Sequence, residues 1–252
     1  MNVRRVLDSN KCSVYAWAPR RFDLLALVSM IAIAAPLAAE EQSHDSRPKL
    51  VAVQDDALRR ELLSMTEEDQ KARMEMMREL ADAGTPIGSH IDTHDPTYVA
   101  TMKKVSTKLA VVDGKNRAQL KEIVELHGWP SISLVGKDGA QAAWMLVQHA
   151  DADREFQKAC LALMGALPDG EIDKQAVAYL TDRVLVGEKK PQRYGTQMDG
   201  EFKPAPLEDP ENVDRRRAEV GLPPLAEYIK MSKEMYEKMS AGSPKMQEIS
   251  RE

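Results

Sequence analysis

The sequence predicts a mainly α-helical fold, a single helical domain with a buried central helix and a proline-rich extended wrap near the C-terminus. Three observations carry this. Apolar residues recur at three-to-four-residue spacing over long stretches, the period of helices with one buried face. Aromatic residues make up only 5% of the chain against 14 methionines, so the core must be assembled from Leu, Val, Ala and Met, side chains that helices accommodate well. Prolines at 191, 204, 206 and 210 exclude a long helix there and leave residues 189–210 to wrap the body. A chain of 252 residues, 43% of them apolar, is long enough to bury a core.

Residues 1–39 read as a targeting segment outside that fold. Arg20 and Arg21 precede the uncharged run Leu24 to Ala39, which stops at Glu40 and Glu41. A spanning helix needs about 20 apolar residues, and this run is shorter, carries Pro36, and ends in the small residues Ala38 and Ala39 that suit a signal peptidase. Cleavage there leaves an exported chain, periplasmic or secreted, without a stable membrane span; a retained anchor is the alternative. The mature chain has 30 basic and 38 acidic residues, a surface that repels phosphate backbones and makes nucleic acid a poor partner. Cys160 is then the only cysteine, inside the apolar run FQKACLALM, and reads as an inert buried thiol.

Residues 40–54 form a linker, 55–240 the helical domain and 241–252 a polar tail. The first helix is expected over Asp55–Asp82, with Leu58, Leu62, Met65, Met76, Met77 and Leu80 on one face. The charged stretch TEEDQKAR interrupts that face at Asp69, Gln70 and Arg73. Gly88–Pro96 reads as loop. Asp113, Gly114 and Asn116 read as the cap of a second helix through Leu126, closed by His127, Gly128, Trp129 and Pro130. SISLV is expected to be extended. From Asp138 to Val147 the chain is apolar on every side, the mark of a central helix. Further helices are expected at Glu155–Leu167, Asp173–Gly187, Glu211–Val220 and Pro224–Met239.

Polar residues set among apolar helices are the informative ones, because burying them unpaired costs about 1–3 kcal/mol each. His127, His149, Asp151 and Asp182 are candidate catalytic residues on this ground. Should the helix ends converge, they line one polar pocket with Arg183, Gln148 and the loop residues Tyr194 and Gln197. A structural account stands beside this: His127 and His149 at helix C-termini gain about 0.3–1 kcal/mol from the dipole when charged, and Asp182 and Arg183 can brace Arg73 and Asp69. SHIDTHD brings His90, Asp92, His94 and Asp95 close together. Gly88 and Pro96 flank it and disfavour the helix that a His-x-x-x-His site needs, so no metal or other cofactor is assigned. HExxH and GxSxG are both absent from the sequence.

The strings EEDQKAR, HGWPSISLVGKDGAQAAWMLVQHAD, AYLTDRVLV, PQRYGTQ and EDPENVDRRRAEVGLPPLAEY, with Phe156 and Gln157, resemble a bacterial family known only as a domain of unknown function. The resemblance spans most of residues 56–230. It implies a helical domain and directs attention to the positions that match its motifs: Asp69, Gln70, Arg73, His127, Trp129, Gln148, His149, Asp151, Asp182, Arg183, Tyr194 and Gln197. It implies no reaction, cofactor or partner, and Thr85–Leu109 stands outside it as an insertion.

Two functions follow as expectations. One is an exported domain that binds or hydrolyses a small polar ligand, with an imidazole as general base, an Asp orienting it, and Arg183 or Gln197 stabilising negative charge. The other is a non-catalytic interaction module of the cell envelope, in which Met74, Met76, Met77, Met231, Met235 and Met239 supply contact area for a protein partner.

Overall fold

The computed structural model describes residues 53–84 and 95–241. The leader, nearly all of the linker, His90, Asp92 and His94, and the tail lie outside the described residues. Within them run seven α-helices and one 3-10 turn: α1 Asp56–Asp82, α2 Pro96–His127, α3 Ile132–Gln148, α4 Arg154–Gly165, α5 Lys174–Gly187, the turn Pro210–Asn212, α6 Val213–Glu219 and α7 Leu225–Ala241. No described helix is long and apolar enough to cross a membrane.

Short polar side chains start the helices. Asp55, Asp153 and Asp173 each accept a hydrogen bond from a backbone N–H in the first turn of α1, α4 and α5, filling donors that have no partner within the helix. Cross-helix pairs then fix the register. Glu61 faces Gln119, Glu68 faces Lys115, and Glu79 faces Lys104 and Lys108, so α1 and α2 run antiparallel. Arg59 meets Asp138, Gln70 meets Met145 and Arg73 meets His149, so α1 and α3 run parallel. The helix α3 is central as expected: Ala140, Ala142, Ala143, Trp144, Leu146 and Val147 are all buried. Trp144 Nε1 donates to the Ala176 carbonyl of α5 at 2.8 Å. A second, smaller core of Met76, Leu80, Tyr98, Met102 and Val105 closes the far end of the α1/α2 pair.

Three expectations are corrected. Asp113 does not cap a helix: α2 begins at Pro96, where Asp95 Oδ1 accepts from Thr97 N and Tyr98 N and proline takes the first helical position, where its missing N–H costs nothing. Residues 96–109, read as part of an insertion, are the first 14 of the 32 residues of that helix. SISLV is not extended but forms the opening turn of α3, and the break falls at Gly136, with φ 74° and ψ 169°, a left-handed conformation that glycine adopts without strain. The wrap at 189–210 bonds to itself as well as covering the body. Gln192 N donates to the Pro206 carbonyl and Ala205 N to the Gln197 carbonyl, while the Gln192 amide donates to the carbonyls of Gln197 and Ala205 at 2.9 Å.

Candidate functional site

Four helices deliver charged side chains to the C-terminal end of α3. On α1, the buried stripe Leu58, Leu62, Met65 continues through Asp69 and Arg73 before returning to Met76 and Leu80, so the helical period itself carries an acid and a base inward. Arg73 donates to Asp69 from Nε and NH2, both at 3.1 Å, and from NH2 to Asp113 Oδ1 of α2 at 2.5 Å. Gln70 Nε2 donates to Asp69 Oδ2 at 2.9 Å.

His149, the residue that ends α3, completes this group. Its Nδ1 stands 2.9 Å from Asp69 Oδ2 and 3.0 Å from Arg73 Nε. One atom does not both donate to the carboxylate and accept from the guanidinium, so the two contacts belong to different tautomers. With the proton on Nε2, the Nδ1 lone pair would face an ionised oxygen at 2.9 Å; with the proton on Nδ1, that contact is a hydrogen bond to a charged acceptor. A proton on Nδ1 makes the 2.9 Å contact a hydrogen bond to Asp69 and leaves the lone pair on Nε2, whereas a proton on Nε2 lets Nδ1 accept from Arg73 Nε. Nε2 has no hydrogen-bond partner among the described residues, and 7% of the side-chain surface is exposed.

Electrostatics spreads the titration of these groups apart. Burial, then the Arg73 charge, lowers His149 to about 4 against the opposing Asp69 contact, so the imidazole is neutral near pH 7. The shift corresponds to about 3 kcal/mol at 1.36 kcal/mol per unit, more than the 0.3–1 kcal/mol a helix dipole offers a charged histidine. Burial alone would raise Asp69, but the His149 hydrogen bond, then the neighbouring charges of His149 and Arg73, hold it at about 2. Asp113 goes the other way, to about 6: burial dominates, Arg73 opposes it, and Asp69 and Asp151 add to it.

A second ion pair adjoins the first. Arg183 of α5 reaches Asp151, two residues past His149, with Nε to Oδ1 at 2.9 Å and NH2 to Oδ2 at 2.5 Å. Gln157 of α4 donates to the carbonyls of Val147 and Gln148, at 2.9 and 3.2 Å, and to Asp151 at 3.3 Å. That closes the end of α3, whose last carbonyls lack helical partners. Arg154 bonds Gln157 and the Arg183 carbonyl and lies 3.5 Å from Asp151.

The structure brings six of the sequence candidates together: Asp69, Gln70, Arg73, His149, Asp151 and Arg183. It separates the others. His127 is exposed and 14 residues beyond Asp113 on the same helix, about 21 Å along the axis at 1.5 Å per residue, so the two imidazoles share no site. Trp129 is buried at that distant end. Asp182 points the other way from Arg183: it accepts from the backbone N–H of Arg193, Tyr194 and Thr196 and from Thr196 Oγ1, at 2.8–3.2 Å. It thereby organises the YGT loop, and burial raises its carboxyl despite those bonds. Tyr194 presents its carbonyl to Arg217 NH1 at 2.5 Å, and Gln197 N donates to Gln192 Oε1 at 2.9 Å. With its amide oxygen turned toward them, Gln148 accepts from Trp144 Nε1 and Leu180 N at 3.1 Å. The bracing of Arg73 and Asp69 by Asp182 and Arg183 is not seen; each of the two cations has its own carboxylate.

Sequence reasoning passed over Asp113, Arg154, Gln157 and Asn116. Asn116 lies one turn from Asp113 on the inner face of α2, 2% exposed, with neither Oδ1 nor Nδ2 hydrogen-bonded, a state that costs about 1–3 kcal/mol. Among the described residues no group of three or more His, Cys, Asp or Glu has a metal-holding arrangement. Burial pushes the Cys160 thiol well up.

A family model described as a family of unknown function, DUF6624, matches residues 56–240. No curated protein and no solved structure matches the chain.

Proposed function

The chain belongs to the family of unknown function DUF6624, and we propose that its helical domain binds a small polar ligand and hydrolyses it at the His149–Asp69 pair. One observation carries this reading. His149 Nδ1 stands 2.9 Å from an ionised carboxylate; in the tautomer that donates to it, a neutral imidazole leaves its Nε2 lone pair free, the arrangement that orients a histidine as general base.

Nε2 takes a proton from a water as its oxygen forms a bond to the ligand's carbonyl carbon. Asp69 stays ionised and stabilises the imidazolium that results. Asp113, on the other side of the Arg73 guanidinium, keeps its own proton up to about pH 6 and gives it to the leaving group as the scissile bond breaks. The imidazolium proton then restores Asp113. Environments that split titratable groups in this way separate acid from base. Arg183 has both its fork nitrogens on Asp151 and holds that carboxylate in place. In this reading the mature protein is exported and the ligand is met outside the cytoplasm.

Purified protein assayed on a panel of small esters and amides tests the reading. Hydrolysis is expected to follow a bell-shaped pH profile with limbs near 4 and 6, and His149→Gln is expected to lower the rate by about 10²–10⁴-fold, the range of general acid–base catalysis. A His149→Gln protein as active as its parent removes the proposal.

A further inference from the structure

Asn116 is the one buried carboxamide among the described residues with both its donor and its acceptor unused. Its place follows from the helix register. Lys115 pairs with Glu68 and Asp113 with Arg73, so Asn116 faces α1 between Met65 and Asp69. Thr66, one residue along, reaches the Ala142 carbonyl, which sets Ala142 and Ala143 of α3 at the same level. Asn116 thus lies on the buried side of α2 one turn from Asp113, at the level of Ala142 and Ala143 of α3. Leu62 and Leu120, a turn further along α1 and α2, belong to the main hydrophobic core.

We propose that Asn116 is the specificity residue of this site and that it takes an uncharged amide group of the ligand. This rests on the hydrolytic reading and names its substrate class. A carboxamide offers one donor group and one acceptor, and its natural complement is another amide, which fills both at once. Asp69 is paired with Arg73 and Asp151 with Arg183, and a ligand carboxylate or ammonium brought to a buried neutral amide meets no opposite charge there. An amide seated on Asn116 enters with no net charge, and its carbonyl carbon lies toward Asp113 and His149. The reaction is then hydrolysis of the carbon–nitrogen bond: water adds to the carbonyl, and the amine leaves with the proton from Asp113.

The test follows side-chain amide and imidazole resonances of the purified protein while acetamide, and separately acetate, is added. Acetamide is expected to shift the Asn116 amide and to compete for amide hydrolysis, and acetate is expected to do neither. Asn116→Leu, close in shape, is expected to fold and to lose the acetamide response, with Asn116→Ala as a second variant. His149→Gln is expected to keep the response while losing hydrolysis. An Asn116→Leu protein that still answers acetamide, or a parent that answers acetate equally or acetamide not at all, overturns the assignment of Asn116. Hydrolysis that survives in His149→Gln sinks the general-base reading instead, so the two failures are told apart.

Discussion

Asp69 and Asp113 share one guanidinium, that of Arg73, yet titrate at opposite ends of the carboxylate range, about 2 and about 6. Asp69 sits on α1 with His149, Arg73 and Gln70 as donors, whereas Asp113 has Arg73 alone and two other carboxylates for neighbours. Several donors against one separate an ion from an acid, although Asp69 is the more buried of the two.

This split has a consequence for stability against pH. Asp113 binds its proton more tightly folded than unfolded, so its contribution falls as pH rises from about 4 to about 6. His149 binds its proton less tightly folded, so its contribution is lost as pH drops from 6.5 toward about 4. The two slopes nearly cancel in the parent. Asp113→Asn is expected to unmask a rise in stability from pH 4 to 6.5, and His149→Gln a fall over pH 4 to 6, each of about 2–3 kcal/mol relative to the parent. Denaturant melts at several pH values measure both.

Asp182 serves the fold rather than the proton chemistry. Removing it strands the N–H groups of Arg193, Tyr194 and Thr196 and the Thr196 hydroxyl. Asp182→Ala is therefore expected to cost about 4 kcal/mol, the scale of breaking a buried hydrogen-bond network. In the folded fraction the titration of His149 is expected to stay at its parent value, which NMR reads directly.

Gly187 gives Arg154 its place. A Cβ built at Gly187 falls 2.1 Å from the Arg154 guanidinium, which is the end of a flexible side chain and has to move. Gly187→Ala is expected to change stability by less than about 1 kcal/mol while raising the titration of Asp151, which Arg154 helps to hold down. An unchanged Asp151 would place Arg154 outside the electrostatics of the site.

His127 is exposed at the far end of α2. His127→Ala is expected to shift stability by no more than about 0.5 kcal/mol, as surface changes do, and to leave hydrolysis unaltered. Kinetics on the same panel of esters and amides checks it.

Much of the fold was legible because helical period and caps are local. Asp69 and Arg73 are readable as site residues for that reason: they fall four apart on a stripe that is otherwise apolar. Asp113 was hidden by its neighbour, since Asp-Gly reads as a helix start. Nothing lies within 4 Å of a Cβ at Gly114, so α2 runs through it at the ordinary cost of a helical glycine, about 1 kcal/mol. The split between Arg183 and Asp182 was also beyond reach of the sequence. Adjacent helical residues point about 100° apart, and which of them meets Asp151 depends on how α5 packs. His127 and His149 look alike in sequence as helix ends, but only the register of α2 against α1 shows that they lie at opposite ends of the bundle.

The most direct test is the nitrogen NMR titration of the His149 ring. The account predicts a neutral ring with its proton on Nδ1 and an unprotonated Nε2, gaining charge only near pH 4. A proton found on Nε2, or a midpoint at or above the ordinary histidine value, would contradict it.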